Sequence, residues 1–459
     1  MSVQQLYFSR DSQMFLEIGS QVWKIPVLEG FSFSQATNTS EITLAEMEAT
    51  DGTSRRGRRA FNDSLAPVDF SFSTYIRPFT SAGSGTGAAD AAAHMHAVEE
   101  ALWALFGGPA AYATDLFTNQ TDPSADKNEI SFDQSNTSTL GPTAGANLYF
   151  ELGDNHKICY KLSKIAINEA SIDFDIDGVA QINWSGFASD IEDITKTVVV
   201  NTAMDNTAAL VIDGGTLVAA DDERRIHGTG MDADVTIDAF TNGTSATLSS
   251  AQTLADNTIL HLLGPEATIF EGIDQTNNFI RNRLTKVIVV PNSDPEIALE
   301  AAYTLTLTGG NITLSNNITY LTPEELGTVN IPIGHVTGAR AFGGSMTCYL
   351  TETTDDVISS RDFFQDLTSE AQRSAVSNDF NLEFLIGGGT ITDPTLASAT
   401  CTDANLADTA LAINFPSCHV SIPTHSIEDV ITLETTFMAL PSTIGGADEV
   451  TMRYKGPAA

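Results

Sequence analysis

The feature that most limits what this chain can become is a strand pattern that occurs twice. Phe70-Ser71-Phe72-Ser73 alternates apolar and small polar residues with the two-residue period of a strand. Ser345-Met346-Thr347-Cys348-Tyr349-Leu350 repeats the alternation in the second half. Each copy has matching neighbours. Ile312-Thr313-Leu314-Ser315 answers Phe31-Ser32-Phe33-Ser34, and Leu382 to Ile386 answers Leu148 to Leu152. Residues 418–422 with 431–439 answer a hairpin over 164–188. A helix is expected after each strand, over 88–106 and 359–371, and a long polar loop precedes each, over 36–67 and 320–339. Six elements recurring in one order, at an offset of roughly 250–280 residues, imply a duplicated β domain with one flanking helix.

The 164–188 hairpin is the clearest single element. Ile165, Ile167, Ile172, Phe174 and Ile176 supply its apolar positions, and Asp177-Gly178 is a turn pair. On the return strand Ile182 and Trp184 share one face, while Gln181, Asn183 and Ser185 share the other. Residues 196–270 have no counterpart. Leu210-Val211-Ile212, Ala233-Asp234-Val235-Thr236-Ile237-Asp238 and the turn pairs Gly214-Gly215 and Asn242-Gly243 predict a small β insert there. The expected organisation is a first unit over 1–195, the insert over 196–270 and a second unit over 271–459, and 459 residues are enough for each to bury a core.

A formal charge of −37 and a pI near 4.2 disfavour ordinary binding to nucleic acids and to anionic membranes. No apolar run approaches the ~18 residues of a membrane helix. The start, MSVQQLYFSRDSQMF, does not read as a secretion signal. Cys159, Cys348, Cys401 and Cys418 form no Cys-x-x-Cys pair and read as reduced thiols.

No catalytic, metal or cofactor site is expected. His94-Met95-His96, with Glu99 and Glu100, is read on a helix, where positions two apart face different ways. Asp173-Phe174-Asp175-Ile176-Asp177-Gly178 opens like a calcium loop, yet Trp184 stands where the bidentate Glu belongs, so it reads as strand alternation. Gly83-Ser84-Gly85-Thr86-Gly87 lacks the spacing and the Lys-Ser/Thr pair of a phosphate loop, and there is no Gly-x-Ser-x-Gly elbow. Asp221-Asp222-Glu223 beside Arg224 and Arg225 reads as a solvated turn.

Residues 55–59 are the exception to the acidic composition, with Arg55, Arg56, Arg58 and Arg59 in five positions. A nucleic-acid patch would carry interleaved aromatics; a solvated loop would need no partner. A contact with an acidic face of another copy suits both the polar surroundings and the charge, because guanidinium forks pair well with carboxylates.

Three segments carry a family resemblance: 55–79 (RRGRRAFNDSLAPVDFSFSTYIRPF), 316–350 (NNITYLTPEELGTVNIPIGHVTGARAFGGSMTCYL) and 419–442 (HVSIPTHSIEDVITLETTFMALPS). They resemble the tail tube proteins of tequintavirus-type, long flexible-tailed bacteriophages, over most of 1–195 and 271–445. The resemblance implies a mainly β fold, with two tandem tail-tube sandwich or barrel domains, each with a helix. It implies homotrimeric, pseudo-hexameric rings stacked into a hollow tube that conducts double-stranded DNA without sequence preference. The tape measure protein and the distal and terminal tail proteins would be partners, with no membrane and no cofactor. The tube would be assembled in the host cytoplasm and sit in the virion tail. The insert is longer than the family leads one to expect, and an immunoglobulin-like C-terminal decoration of some relatives is not found.

On that reading, alternation assigns Ser32, Ser71, Ser73, Asp173, Asp175, Asn183, Thr313, Ser345, Thr347 and Glu434 to the bore, and Arg55, Arg56, Arg58 and Arg59 to ring stacking. The rival class is a carbohydrate-binding or adhesive β-rich particle surface protein, whose mark would be clustered exposed aromatics; three Trp and nine Tyr do not suggest it.

Overall fold

The computed structural model describes residues 7–19, 21–42, 59–81, 94–107, 129–132, 145–154, 156–232, 235–264, 269–270, 279–291, 303–323, 330–352, 359–370, 380–387, 410–427, 429–443 and 445–455. Those residues form a mainly β protein with two α-helices.

β1 (Ser12–Ile18) and β2 (Gln21–Ile25) make a hairpin at Gly19, whose φ of +64° lies in the left-handed region that favours glycine. β3 (Ser32–Ile42) and β4 (Arg59–Tyr75) then pair antiparallel from Ser32↔Ser71 to Ile42↔Arg59. Much of the polar stretch 36–67, expected as loop, is therefore strand. Its Thr37, Asn38, Thr39, Asn62 and Asp63 are all exposed. A ribbon with both faces in solvent has no apolar alternation to betray it.

β5 (Pro78–Ser81) pairs with β6 (His94–Ala97), and α1 (Glu100–Gly107) follows. The helix expected over 88–106 is thus shorter: 94–97 is strand and 88–93 lies outside the described residues. The cause is local. The backbone of 94–97 is paired with β5, and the Ala97 N–H donates to Glu100 Oε2 at 3.1 Å, an acidic side chain at the true N-terminus of the helix. The helical spacing argument made for His94 and His96 falls with it.

β7 (Glu129–Ser131), β8 (Ala146–Leu152) and β9 (Ile158–Ser163) lead to the hairpin of β10 (Ala166–Phe174) and β11 (Gln181–Ala188), followed by β12 (Asp190–Asp193). The hairpin is in the expected place, with Ile172 opposite Ile182 and Ala170 opposite Trp184, and Gly178 at φ +126° in its turn. A bulge between Ile167 and Glu169 keeps both Ile167 and Ala170 on the core side. β10 stops at Phe174, so Ile176 is exposed in the turn rather than an apolar strand position.

Residues 196–263 build a sheet of their own from β13 (Lys196–Val200), β14 (Met204–Gly214), β15 (Arg225–Gly228), β16 (Ile237–Asn242), β17 (Ser245–Leu254) and β18 (Ile259–Leu263), in the order β15-β18-β13-β14-β17-β16. It has its own core of Val198, Leu210, Ile212, Leu248 and Leu260. β19 (Ile269–Phe270) returns to lie parallel to β2.

The second half contains β20 (Lys286–Pro291), β21 (Tyr303–Leu305), β22 (Leu307–Ser315), β23 (Thr319–Leu321), β24 (Gly334–Val336), β25 (Ala341–Tyr349), α2 (Ser360–Glu370), β26 (Phe380–Ile386), β27 (Ala410–Val420), β28 (Thr424–Ile427), β29 (Ile431–Ala439) and β30 (Thr451–Lys455). β23 and β24 pair with each other inside the expected 320–339 loop.

Strand order is the same in both halves. The first half has β2-β1-β8-β9 in one sheet and β3-β4-β11-β10 in the other. The second has β21-β20-β26-β27, then β22-β25-β29 with β28 alongside β29. β27 serves both runs: its first residues pair with β26 and β30, and Cys418 to Val420 pair with β29. β10 pairs with β22, which welds the halves into one long sheet. The core crosses the weld. Trp103 packs on Trp184 with centroids 4.6 Å apart, Phe106 and Phe132 meet Phe342, and the Trp103 indole N–H donates to Tyr454 Oη at 2.6 Å.

Candidate functional site

What stands out in the long sheet is its solvent face. In β4, Phe70 and Phe72 are buried while Asp69 and Ser71 are exposed; in β11, Ile182 and Trp184 are buried with Asn183 and Ser185 turned the other way. The same alternation holds in β10, β22, β25 and β29. With one face committed to the core, register alone decides what the other face presents.

The register gathers the residues picked from sequence. Ser32 lies opposite Ser71 with their hydroxyls 2.9 Å apart. Ser73 Oγ donates to Asn183 Oδ1 at 2.7 Å, and Asn183 Nδ2 donates to Asp173 Oδ2 at 3.2 Å. Across the weld, Ser171 is opposite Thr313 and Asp173 is opposite Asn311. Asn311 Oδ1 accepts from both the backbone N–H and the hydroxyl of Ser345, at 2.9 and 2.8 Å. Thr347 is opposite Glu434. Nine of the ten residues thus share one face of seven successive strands, and short polar side chains tie neighbouring strands together along it. Asp175 does not join them, since it follows the end of β10 and lies in the hairpin turn. Sequence reasoning missed Asn311, Glu169 and Asp69 on the same face; alternation about Ile312 and Phe70 was the signal for two of them.

Apart from Arg59 at the start of β4, none of β3, β4, β10, β11, β22, β25 and β29 contains Lys or Arg. The face carries Asp69, Asp173, Glu169 and Glu434 among hydroxyls and amides, so its field is negative. Among the described residues β3 pairs only with β4, and β28 only with β29, which leaves one unpaired edge at either end of the run. All four residues of β28 are exposed, and Ile427 and Val430 beside it are 77% and 56% exposed.

Arg55, Arg56 and Arg58 lie outside the described residues; Arg59 opens β4 opposite Ile42. Asp222 and Glu223 of the acidic run in the insert are exposed in a turn, as read, but its first residue is not. Asp221 is buried and holds Lys196 and Arg224, the latter at 3.1 Å. Arg225, also buried, forms an ion pair with the buried Glu151 of β8 and lies over the Phe15 ring at 4.2 Å. Adjacent opposite charges look solvated in sequence because the partner, Glu151, is remote. The Asp173–Gly178 run is strand only as far as Phe174, so Asp175 and Asp177 belong to the turn.

No family model matches the chain. It is 25% identical over 436 residues to the tail tube protein pb6 of Escherichia phage T5, covering 93% of this chain and 69% of that protein. The similarity runs through both halves and supports a tail tube protein of that type.

Proposed function

We propose that this chain is the structural subunit of a phage tail tube, in which the polar face of the long sheet lines the bore. One observation carries the reading beyond the similarity. The run β3-β4-β11-β10 is followed, through the β10–β22 pairing, by β22-β25-β29-β28 in the same order. The edge that β10 offers to β22 has its equivalent in β28, and the edge of β22 has its equivalent in β3.

Two tandem tail-tube units, over 1–195 and 271–459, therefore meet inside one chain as copies would meet between chains: β28 of one subunit pairs with β3 of the next. Three chains joined this way close a pseudo-six-fold ring, and closure removes edges that would otherwise aggregate. A bore of hydroxyls, amides and carboxylates without cations offers phosphates no counterion-releasing contact, so double-stranded DNA slides through without holding. The loop bearing Arg55, Arg56, Arg58 and Arg59 reaches the carboxylates of the adjacent ring. The tape measure protein and the distal and terminal tail proteins are its other partners. Assembly takes place in the host cytoplasm, and the tube ends in the virion tail.

The test is electron microscopy of purified protein. The wild-type chain is expected to form rings or hollow tubes. Ile427→Asp with Val430→Asp puts charge on the exposed β28 edge without touching the core, and is expected to give folded monomers only. Tubes of normal length from that variant would overturn the seam.

A further inference from the structure

The seam between the insert and the first half forms a partly open pocket of about 150 Å³. Lys24 of β2, Lys157 just before β9, and Arg225 and His227 of β15 line it, with Gln13 of β1 and apolar side chains of the insert. Three of the chain's 22 Lys and Arg residues thus border one small space in a protein of charge −37, and two of them, Arg225 and Lys157, share the buried Glu151 carboxylate behind it.

The wall residues make contacts of their own. Arg225 is held by the Glu151 ion pair, by donation to Gly264 O at 3.0 Å and by the Phe15 ring. Lys157 Nζ lies 3.7 Å from Glu151 Oε2. Two nearby histidines have lowered pKa values. Burial first, then Lys157, lowers that of His227 in the lining, while Asp154 opposes; burial first, then His156 and His227, lowers that of His261. His156 Nδ1 and His261 Nε2 are 3.2 Å apart.

We propose that this pocket is a binding site for a small tetrahedral oxyanion of the phosphate class. Cations reach it from three separate elements, and a tetrahedral anion can accept from donors that do not share one plane, where a carboxylate accepts best in its own plane. The volume is several times the roughly 10–15 Å³ that one water occupies on the same measure, and Gln13 adds a neutral amide donor. An anion there would bridge insert and body.

Isothermal titration of the full chain with inorganic phosphate at pH 7, with chloride holding ionic strength constant, is expected to show one saturable site. Lys24→Met with Lys157→Met is expected to weaken it at least tenfold, and Lys24→Met alone, checked for an unchanged unfolding transition, by a smaller factor. Acetate titrated in parallel is expected to bind more weakly. Absence of a saturable site at millimolar phosphate, unchanged affinity in the folded lysine variants, or acetate binding as tightly as phosphate would each overturn the proposal.

Discussion

Glu99 sits fully buried at the mouth of α1, accepting the Arg77 backbone N–H at 3.3 Å, while Tyr454 beside it also takes the Trp103 indole bond. Burial pushes its pKa up to about 7, against hydrogen bonds that pull it down. Because the folded value lies above the ordinary 4.5, the neutral form stabilises the fold fully below pH 4.5, and that contribution is lost as pH rises to about 7. The loss is on the order of 3 kcal/mol. Glu99→Gln should flatten the pH dependence of thermal unfolding between those limits, and an unchanged slope would contradict the assignment. Glu151 is a second buried carboxylate, paired with Arg225. Glu151→Gln leaves that guanidinium without its counter-charge and should cost about 3–5 kcal/mol in denaturant unfolding.

At the scale of elements, the sheet depends on close approach as well as on alternation. A Cβ at Gly186 of β11 would lie 2.3 Å from Ala166 O and 2.6 Å from the Phe70 ring. Gly186→Ala should therefore destabilise the fold by about 1–3 kcal/mol, read from the shift in denaturant midpoint. Alternation made most strands readable: Phe70 and Phe72, Ile182 and Trp184, Ile312 and Leu314 are buried as their pattern implies. The outer part of the β3–β4 ribbon, within 36–67, and β6 were not readable. Thr37 to Thr39 have no buried face, and His94 to Ala97 are strand because β5 pairs with them, a partner separated from them by residues 82–93.

At the scale of the molecule, the charge of −37 sets the expected behaviour of the assembly. In the proposed assembly acidic rings would repel one another, and the arginine loop would bridge them. Replacing Arg55, Arg56, Arg58 and Arg59 by Ser should leave soluble rings that do not elongate, and wild-type elongation should weaken with added salt, as followed by light scattering. Normal tubes from the variant would remove the loop from the stacking role. The bore lining has the opposite expectation: Asp173→Asn should leave assembly intact, since Asp173 is exposed and outside the core.

Which residues face inward could be read from local alternation, because the period of a strand fixes side-chain direction without reference to any partner. Phe70, Trp184 and Ile312 could be placed on that ground alone, and so could the polar residues between them. Only the tertiary structure decided which strands stand side by side. The β10–β22 pairing joins residues about 140 apart, and the Arg225–Glu151 ion pair joins the insert to β8. Such contacts are set by the summed burial of whole sheets, so no short stretch of residues carries their signature.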